Sequence, residues 1–170
     1  ISEDGTESLS NFRFLDWPST PNVAGVEAGY RALLLWALRD AAVLCRILDQ
    51  PLSAAKCEAA MEKLNRKVMP HNGLKQAAAL MAVAGVMDPG EACREVVAVD
   101  GPRRFSTFYG LYMLDAFSMA GMHNQALDII RAYWGGMLDM GATTFWEDFN
   151  VEWMENSTRI DAFPEEGKND

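Results

Sequence analysis

Hydrophobic residues along most of the chain recur every three or four positions, which predicts helices rather than strands. A long helix is predicted over residues 24–48 and another over residues 106–120, and both are apolar on most of their circumference. A helix of this kind packs against more than one neighbour, so both are expected in the interior of a multi-helix assembly. No alternation of period two persists for more than a few residues, so no strand is expected.

The helices predicted between these two have a different pattern. Residues 53–69 and 124–140 each place an apolar stripe opposite charged side chains, which is typical of outer helices with one solvated face. An alanine-rich helix is predicted over residues 74–84. The alternation of apolar and two-faced helices indicates an all-α fold of helical hairpins packed in layers. An α-solenoid would show a repeat of about 34–47 residues, and none is found, so a helical toroid is favoured.

Glycine, proline and capping residues mark the predicted ends of these helices. Pro51 is expected to end the first helix and Ser53 to cap the second. Gly85 occupies the position of a left-handed C-terminal glycine. Asp88 and Pro89 provide the N-cap and the first-turn proline of a short helix that extends to about Val99.

Composition and charge exclude several classes of function. The 170 residues carry 15 Lys and Arg against 24 Asp and Glu, a net charge of -9, so neither a nucleic acid nor an anionic membrane is an expected partner. Arg39 and Asp40 interrupt the longest apolar run, so no membrane-spanning segment is predicted. The three cysteines and two histidines have no ligand-like spacing, so no metal or cofactor is expected.

Two loops place a carboxylate beside a tryptophan: Asp16 precedes Trp17 near the start, and Trp146 precedes Glu147 near the end. An indole face stacks on the apolar face of a sugar ring, while a carboxyl group orients hydroxyls, activates water or protonates a leaving oxygen. Composition and spacing alone favour a plainer interpretation, in which the tryptophans fill gaps between helices and the acids are solvated.

Two segments resemble signatures of the α-L-rhamnosidase family, glycoside hydrolase family 78. They are residues 12–19 (FRFLDWPS) and residues 134–147 (WGGMLDMGATTFWE), in the order and at the separation found in the family's catalytic domain. The resemblance covers most of the chain and depends chiefly on these two segments. It implies an (α/α)6 barrel, with the sugar bound at a mouth formed by loops, and hydrolysis of a terminal α-L-rhamnose with inversion at the anomeric carbon.

The resemblance also implies roles for single residues. Glu147 matches the family's general base, Trp17 matches an aromatic wall of the sugar site, and Asp16 is expected to orient that wall or to contact a hydroxyl. Trp146 is expected to bind substrate beside Glu147. Inverting enzymes place two carboxyl groups roughly 6.5–9.5 Å apart. The family's general acid lies in an Asp-Arg-Asp-Glu type of segment ahead of the Asp-Trp motif, and a substrate-site histidine follows the Glu147 segment. This chain contains neither, so it is expected to be an interior part of the barrel and inactive alone.

The predicted organisation has three parts: a substrate loop over residues 1–23, helical hairpins over residues 24–141, and a catalytic loop with a truncated tail over residues 142–170. The expected partners are a rhamnose-containing carbohydrate and the remaining parts of the barrel. The compartment stays open, and a periplasmic or secreted full-length protein is one alternative.

Two other functions compete with this hypothesis. A non-catalytic helical interaction or scaffold domain would leave Glu147 in open solvent, away from Trp17. A related helical-toroid glycosidase would keep the barrel and act on another sugar. The further acids Asp148, Glu152 and Glu155 are interpreted as a solvated helix face.

Overall fold

The computed structural model describes residues 13–67 and 69–169, and these residues form an all-helical fold. The helices are α1 (Val23–Ile47), α2 (Pro51–Asn65), α3 (Lys75–Ala84), α4 (Pro89–Ala92), which continues into a π-helical turn at Cys93–Val97, α5 (Gly110–Met119) and α6 (His123–Asp139). Short 3₁₀ helices lie at Trp17–Ser19 and Val151–Glu155. Over the described ranges there is no β-strand, only an isolated bridge between Ser157 and Asn169. The all-α class is therefore confirmed.

Some residues for which the sequence made predictions lie outside the described ranges. This applies to Phe12 in the first signature, to the rest of the substrate loop before it, to Val68 in the second predicted helix, and to Asp170. Within the described part of the chain, no helix combines the length and the apolar character needed to cross a membrane.

Two predicted helix boundaries are wrong. Pro51 begins α2 rather than ending the helix before it, and Gln50, not Ser53, precedes the first helical residue. A proline fits there because the first N–H of a helix has no intrahelical partner to lose. The helix predicted from residue 106 begins only at Gly110. The residues just before it turn instead, and the Gly110 backbone packs so closely on Trp134 that an added Cβ would lie 2.8 Å from the indole.

Alternate helices along the chain are neighbours in space. Helix α1 packs on α3 and α3 packs on α5, while α2 packs on α1, α4 on α3 and α6 on α5. Helix α3 is thus surrounded, and every residue from Lys75 to Ala82 is buried. The four alanines among these eight buried residues allow neighbouring backbones to approach closely. The predicted interior position of α1 holds only for its first half, since its last turns expose Val43, Leu44 and Ile47.

The segments that precede α1, α3 and α5 meet at one edge of the molecule, joined by a series of hydrogen bonds. Asn22 and Asn72 bond to each other, with Asn72 Nδ2 donating to Asn22 Oδ1 over 2.8 Å. Lys75 Nζ donates to the Gly101 carbonyl over 2.6 Å. Thr107 Oγ1 donates to the Trp146 carbonyl, also over 2.6 Å, and so ties the loop after α6 to the same edge. This edge, called the loop edge below, carries the predicted site residues.

Candidate functional site

A cleft of about 380 Å³ opens at the loop edge between the first 3₁₀ helix and the loop that follows α6. Its volume lies in the range of small-molecule sites, which runs from roughly 300 to 1,000 Å³. Its walls combine aromatic rings with charged groups, namely Trp17, Pro18, Asp100, Arg103, Arg104, Phe105, Asp148, Phe149, Asn150, Glu152 and Trp153. We call it the Trp17 cleft.

Asp16 sits beneath this cleft as the cap of the short helix Trp17–Ser19. Its Oδ1 accepts a hydrogen bond from the Trp17 N–H over 2.9 Å, and its own N–H donates to Ser19 Oγ over 2.9 Å. The residue is only 6% exposed, and its second carboxylate oxygen, Oδ2, is buried without a hydrogen-bond partner. One oxygen therefore fixes the turn that presents Trp17, while the other is buried without a hydrogen-bond partner.

Trp17 has the exposure that sugar stacking needs. Its side chain is 49% exposed, and the edge-on contact with Phe14, at 4.9 Å between ring centroids, supports one side of the indole. Trp146 has a different environment, because it is partly buried and packs on Phe149 with 5.7 Å between centroids. Trp17 therefore lines the cleft, whereas neither Asp16 nor Trp146 is among the residues that line it. Its substrate-binding role stays a prediction.

The structure places Asp148, rather than its neighbour Glu147, in the wall of the Trp17 cleft. Glu147 is exposed and does not line that cleft. Partial burial raises the pKa of Asp148, the charge of Asp16 raises it further, a hydrogen bond from the Phe149 backbone lowers it, and Glu147 raises it slightly. Asp148 and Asp16 are therefore close enough to repel each other. The role of Glu147 as general base stays a prediction. Asp148 is exposed, as the solvated-face interpretation expected, but it lies in a loop rather than on a helix and also lines the cleft.

Two phenols border this carboxylate pair. Burial, the main cause, raises the pKa of Tyr109 to about 12, and the charge of Asp16 contributes to that rise. The pKa of Tyr133 also rises to about 12, first through burial and then through Asp148 and Asp16, against a lowering by its bond to Thr107. Both phenols remain protonated at neutral pH, so they are hydrogen-bond donors beside two acids.

A second exposed tryptophan of the cleft, Trp153, was not predicted from the sequence. Trp153 is 47% exposed, and Phe149 lies against it with 6.2 Å between ring centroids. The preceding Glu152 forms an ion pair with Arg103 at 3.0 Å across the cleft wall. Glu152 and Trp153 are a third carboxylate beside a tryptophan, so the pattern that singled out Asp16 and Trp17 could have identified them.

This arrangement can bind a neutral, hydroxyl-rich ligand. Two half-exposed indoles provide flat apolar surfaces, and the carboxylates and arginines of the cleft wall accept and donate hydrogen bonds. Within residues 13–67 and 69–169, no group of three or more His, Cys, Asp or Glu side chains could hold a metal ion. No protein-family model, curated protein or solved structure matches this chain.

Proposed function

We propose that the Trp17 cleft binds a sugar and that the chain forms part of an inverting glycoside hydrolase that removes terminal α-L-rhamnose, with Glu147 as general base. The observation that carries the sugar-binding part is that two half-exposed indoles, Trp17 and Trp153, share one cleft with Asp148 above the buried Asp16. The finer part, rhamnose and the role of Glu147, is supported by the resemblance of residues 134–147 to the rhamnosidase signature.

The proposed fold is part of an (α/α)6 toroid, and the neighbour relations of the helices support it. Helices α1, α3 and α5 form one layer and α2, α4 and α6 flank it. In a toroid of six such hairpins, three further hairpins would close the ring. They would contribute the general acid opposite Glu147, which explains why an exposed Glu147 is compatible with catalysis in the complete protein.

In the proposed reaction, Glu147 takes a proton from a water molecule as that water attacks the anomeric carbon. The acid from the remainder of the barrel protonates the leaving oxygen. Trp17 and Trp153 hold the sugar ring by its apolar face, and Asp148 with Asp16 accepts hydrogen bonds from its hydroxyls. The 170-residue chain alone is inactive under this proposal, because it lacks the acid.

The experiment that tests this proposal is hydrolysis of a chromogenic α-L-rhamnoside by the full-length protein that carries this chain. Glu147→Gln should lower kcat by about 10²–10⁴-fold, because a carboxamide cannot accept the proton from water. Asp148→Asn is the matched control, since it removes the neighbouring carboxylate and is expected to raise KM more than it lowers kcat. If Asp148→Asn abolishes turnover and Glu147→Gln does not, then Asp148 is the base and our assignment is wrong.

A second candidate is a helical interaction domain without catalysis, and the position of Glu147 favours it. Such a domain is expected to leave Glu147 in solvent, away from Trp17. Glu147 is exposed and does not line the Trp17 cleft. The same assay separates the two candidates: a full-length protein that hydrolyses no glycoside, and whose cleft binds no sugar in calorimetry, supports the interaction domain.

A further inference from the structure

A second, smaller cavity of about 140 Å³ adjoins the Trp17 cleft. It lies between the start of α1 and the start of α3, and its walls are formed by Pro18, Pro21, Asn22, Gly73, Leu74, Lys75, Gln76 and Arg104. Pro18 and Arg104 line both cavities, so the two spaces share a wall. A cavity of about 150 Å³ holds one benzene ring, so this one has room for a single six-membered ring or part of one.

Two buried polar residues in this smaller cavity have unused hydrogen-bonding capacity. Gln76 is fully buried, and its Nε2 donates to the Arg104 carbonyl and to Ser106 Oγ, both over 3.2 Å. These bonds fix the orientation of the amide and leave Oε1 buried without a partner. An orphaned carbonyl of this kind costs roughly 1–3 kcal/mol unless something bonds to it.

Lys75 is the other residue, and it is 2% exposed. An ammonium group has three N–H donors, and the Gly101 carbonyl accepts one of them over 2.6 Å. Burial and then the neighbouring charge of Arg104 lower the pKa of Lys75, against a rise from Asp100, and the result is a pKa of about 8. A buried lysine with spare donors thus stands next in sequence to a buried amide with a spare acceptor, and both residues line the smaller cavity.

We propose that this smaller cavity is a second sugar subsite, in which one ligand hydroxyl accepts a hydrogen bond from Lys75 Nζ and donates one to Gln76 Oε1. A hydroxyl fits both residues because it accepts and donates at once. An anion without a proton would accept a hydrogen bond from the ammonium group of Lys75. It has no hydrogen to donate to Gln76 Oε1, so the lone pairs of that oxygen would repel it. The shared wall at Pro18 and Arg104 makes the subsite contiguous with the Trp17 cleft, so the natural substrate has at least two linked sugar units. This inference rests on the proposed sugar-binding function.

The test is calorimetric titration of the full-length protein that carries this chain with two probes, methyl α-L-rhamnoside and a methyl α-L-rhamnosyl disaccharide, in a Glu147→Gln background so that the probes are not hydrolysed. The protein with Lys75 in place should bind the disaccharide more tightly than the monosaccharide. Lys75→Met should reduce the disaccharide affinity by about tenfold, the equivalent of one hydrogen bond to a charged group, and leave the monosaccharide affinity unchanged. Lys56→Met, at an exposed lysine of α2, is the matched control and should change neither affinity.

The outcomes separate this inference from the function on which it rests. If both probes bind and Lys75→Met leaves the disaccharide affinity intact, the subsite is overturned and the sugar-binding cleft stands. If neither probe binds the full-length protein with Lys75 in place, the proposed function fails and the subsite fails with it. Inorganic sulfate is titrated as well, and a sulfate affinity that depends on Lys75 without any preference for the disaccharide identifies an anion site instead.

Should Lys75→Met fail to fold, Arg104→Ala provides the second variant. The Arg104 side chain is exposed and pairs with Asp100 at 2.8 Å, so its removal leaves the core intact. Because Arg104 lines both cavities, Arg104→Ala should reduce the ratio of disaccharide affinity to monosaccharide affinity by about threefold or more. An unchanged affinity ratio overturns the subsite.

Discussion

Helix α3 and the second half of α1 are both rich in apolar residues, yet their surroundings differ. In α3 every residue from Lys75 to Ala82 is buried, including a lysine and a glutamine. In the last turns of α1, Leu44 is 55% and Ile47 is 74% exposed. Helix α3 contacts α1, α4 and α5, whereas the last turns of α1 lie beside α2, where Arg46 pairs with Glu58.

This difference shows that apolar composition does not decide burial by itself. The sequence pattern ranked α1 as an interior helix over its whole length, because it counts side chains and not neighbours. The size of the side chains matters as much as their apolar character, because the alanines of α3 let other helices approach it from several sides. The uncovered end of α1 is an apolar surface that further hairpins of the proposed toroid would cover.

The largest expected effect comes from deleting matched leucine side chains in these two regions. Leu80 of α3 is 1% exposed and belongs to the core, so Leu80→Ala should lower the free energy of unfolding by about 2–5 kcal/mol. Leu44→Ala, in the exposed part of α1, should change it by less than about 0.5 kcal/mol. Urea unfolding followed by circular dichroism measures both values. Equal losses at the two positions would show that the end of α1 is covered, by a second copy of the chain for example.

The next effect concerns the buried charge of α3. Because the pKa of Lys75 falls from 10.5 to about 8 on folding, the charged form is disfavoured in the folded protein. The penalty is fully present below pH 8 and is relieved as the pH rises toward 10.5, so stability should increase over that interval by roughly 3 kcal/mol at most. Lys75→Met should be more stable at pH 7 and should lose this increase, whereas Lys56→Met should keep it.

Thermal unfolding between pH 7 and 9 is the measurement for this pair. The upper limit avoids the buried thiol of Cys93 and the buried phenols of Tyr109 and Tyr133, because their raised pKa values, about 11 for the thiol and about 12 for the phenols, make stability fall above about pH 9 and pH 10 respectively. A wild-type curve that is flat or falls from pH 7 to 9 would contradict the burial of a charged Lys75.

The smallest effect comes from two glycines, one at the contact between α1 and α3 and one outside it. A Cβ on Gly25 would lie 2.7 Å from Leu74 Cβ and 2.9 Å from the His71 carbonyl oxygen, so Gly25→Ala should cost about 1–3 kcal/mol. Gly135, within α6, has nothing within 4 Å of the added Cβ. Gly135→Ala should therefore stabilise the chain by about 0.5–1 kcal/mol. The two melting temperatures should move in opposite directions, and a shared direction would contradict the packing of α1 on α3.

Local chemistry made several helix ends predictable. Gly85 adopts the left-handed conformation with φ of 76°, and the Asp88 side chain accepts a hydrogen bond from the Glu91 N–H, as the sequence predicted. Pro51 was misinterpreted because a proline is found both just after the end of a helix, which it cannot continue, and in the first turn of the next helix, where its missing N–H is not needed. The start of α5 was misplaced because the contact between Gly110 and Trp134 joins residues 24 positions apart, which a local pattern does not contain.

The candidate site shows the same division. Asp16 and Trp17 could be found in the sequence, because they are neighbours and one caps the helix that presents the other. Asp148 and Trp153 could not be placed beside them, because the loop after α6 reaches the cleft only through long-range contacts such as the bond from Thr107 to the Trp146 carbonyl. The spare bonding capacity of Gln76 was also invisible, since it depends on the backbone of Arg104 from the next loop.

The sequence alone determined the helical class, the approximate helices and the residue types available at the loop edge, because helix periodicity and capping depend on residues within a few positions of each other. Only the tertiary structure decided which helix is surrounded, which end of α1 stays exposed, and that Asp148 rather than Glu147 lines the Trp17 cleft. These outcomes depend on the direction in which each side chain leaves the packed backbone. Neighbouring residues of a loop, such as Glu147 and Asp148, point in different directions, so only one of the two lines the cleft.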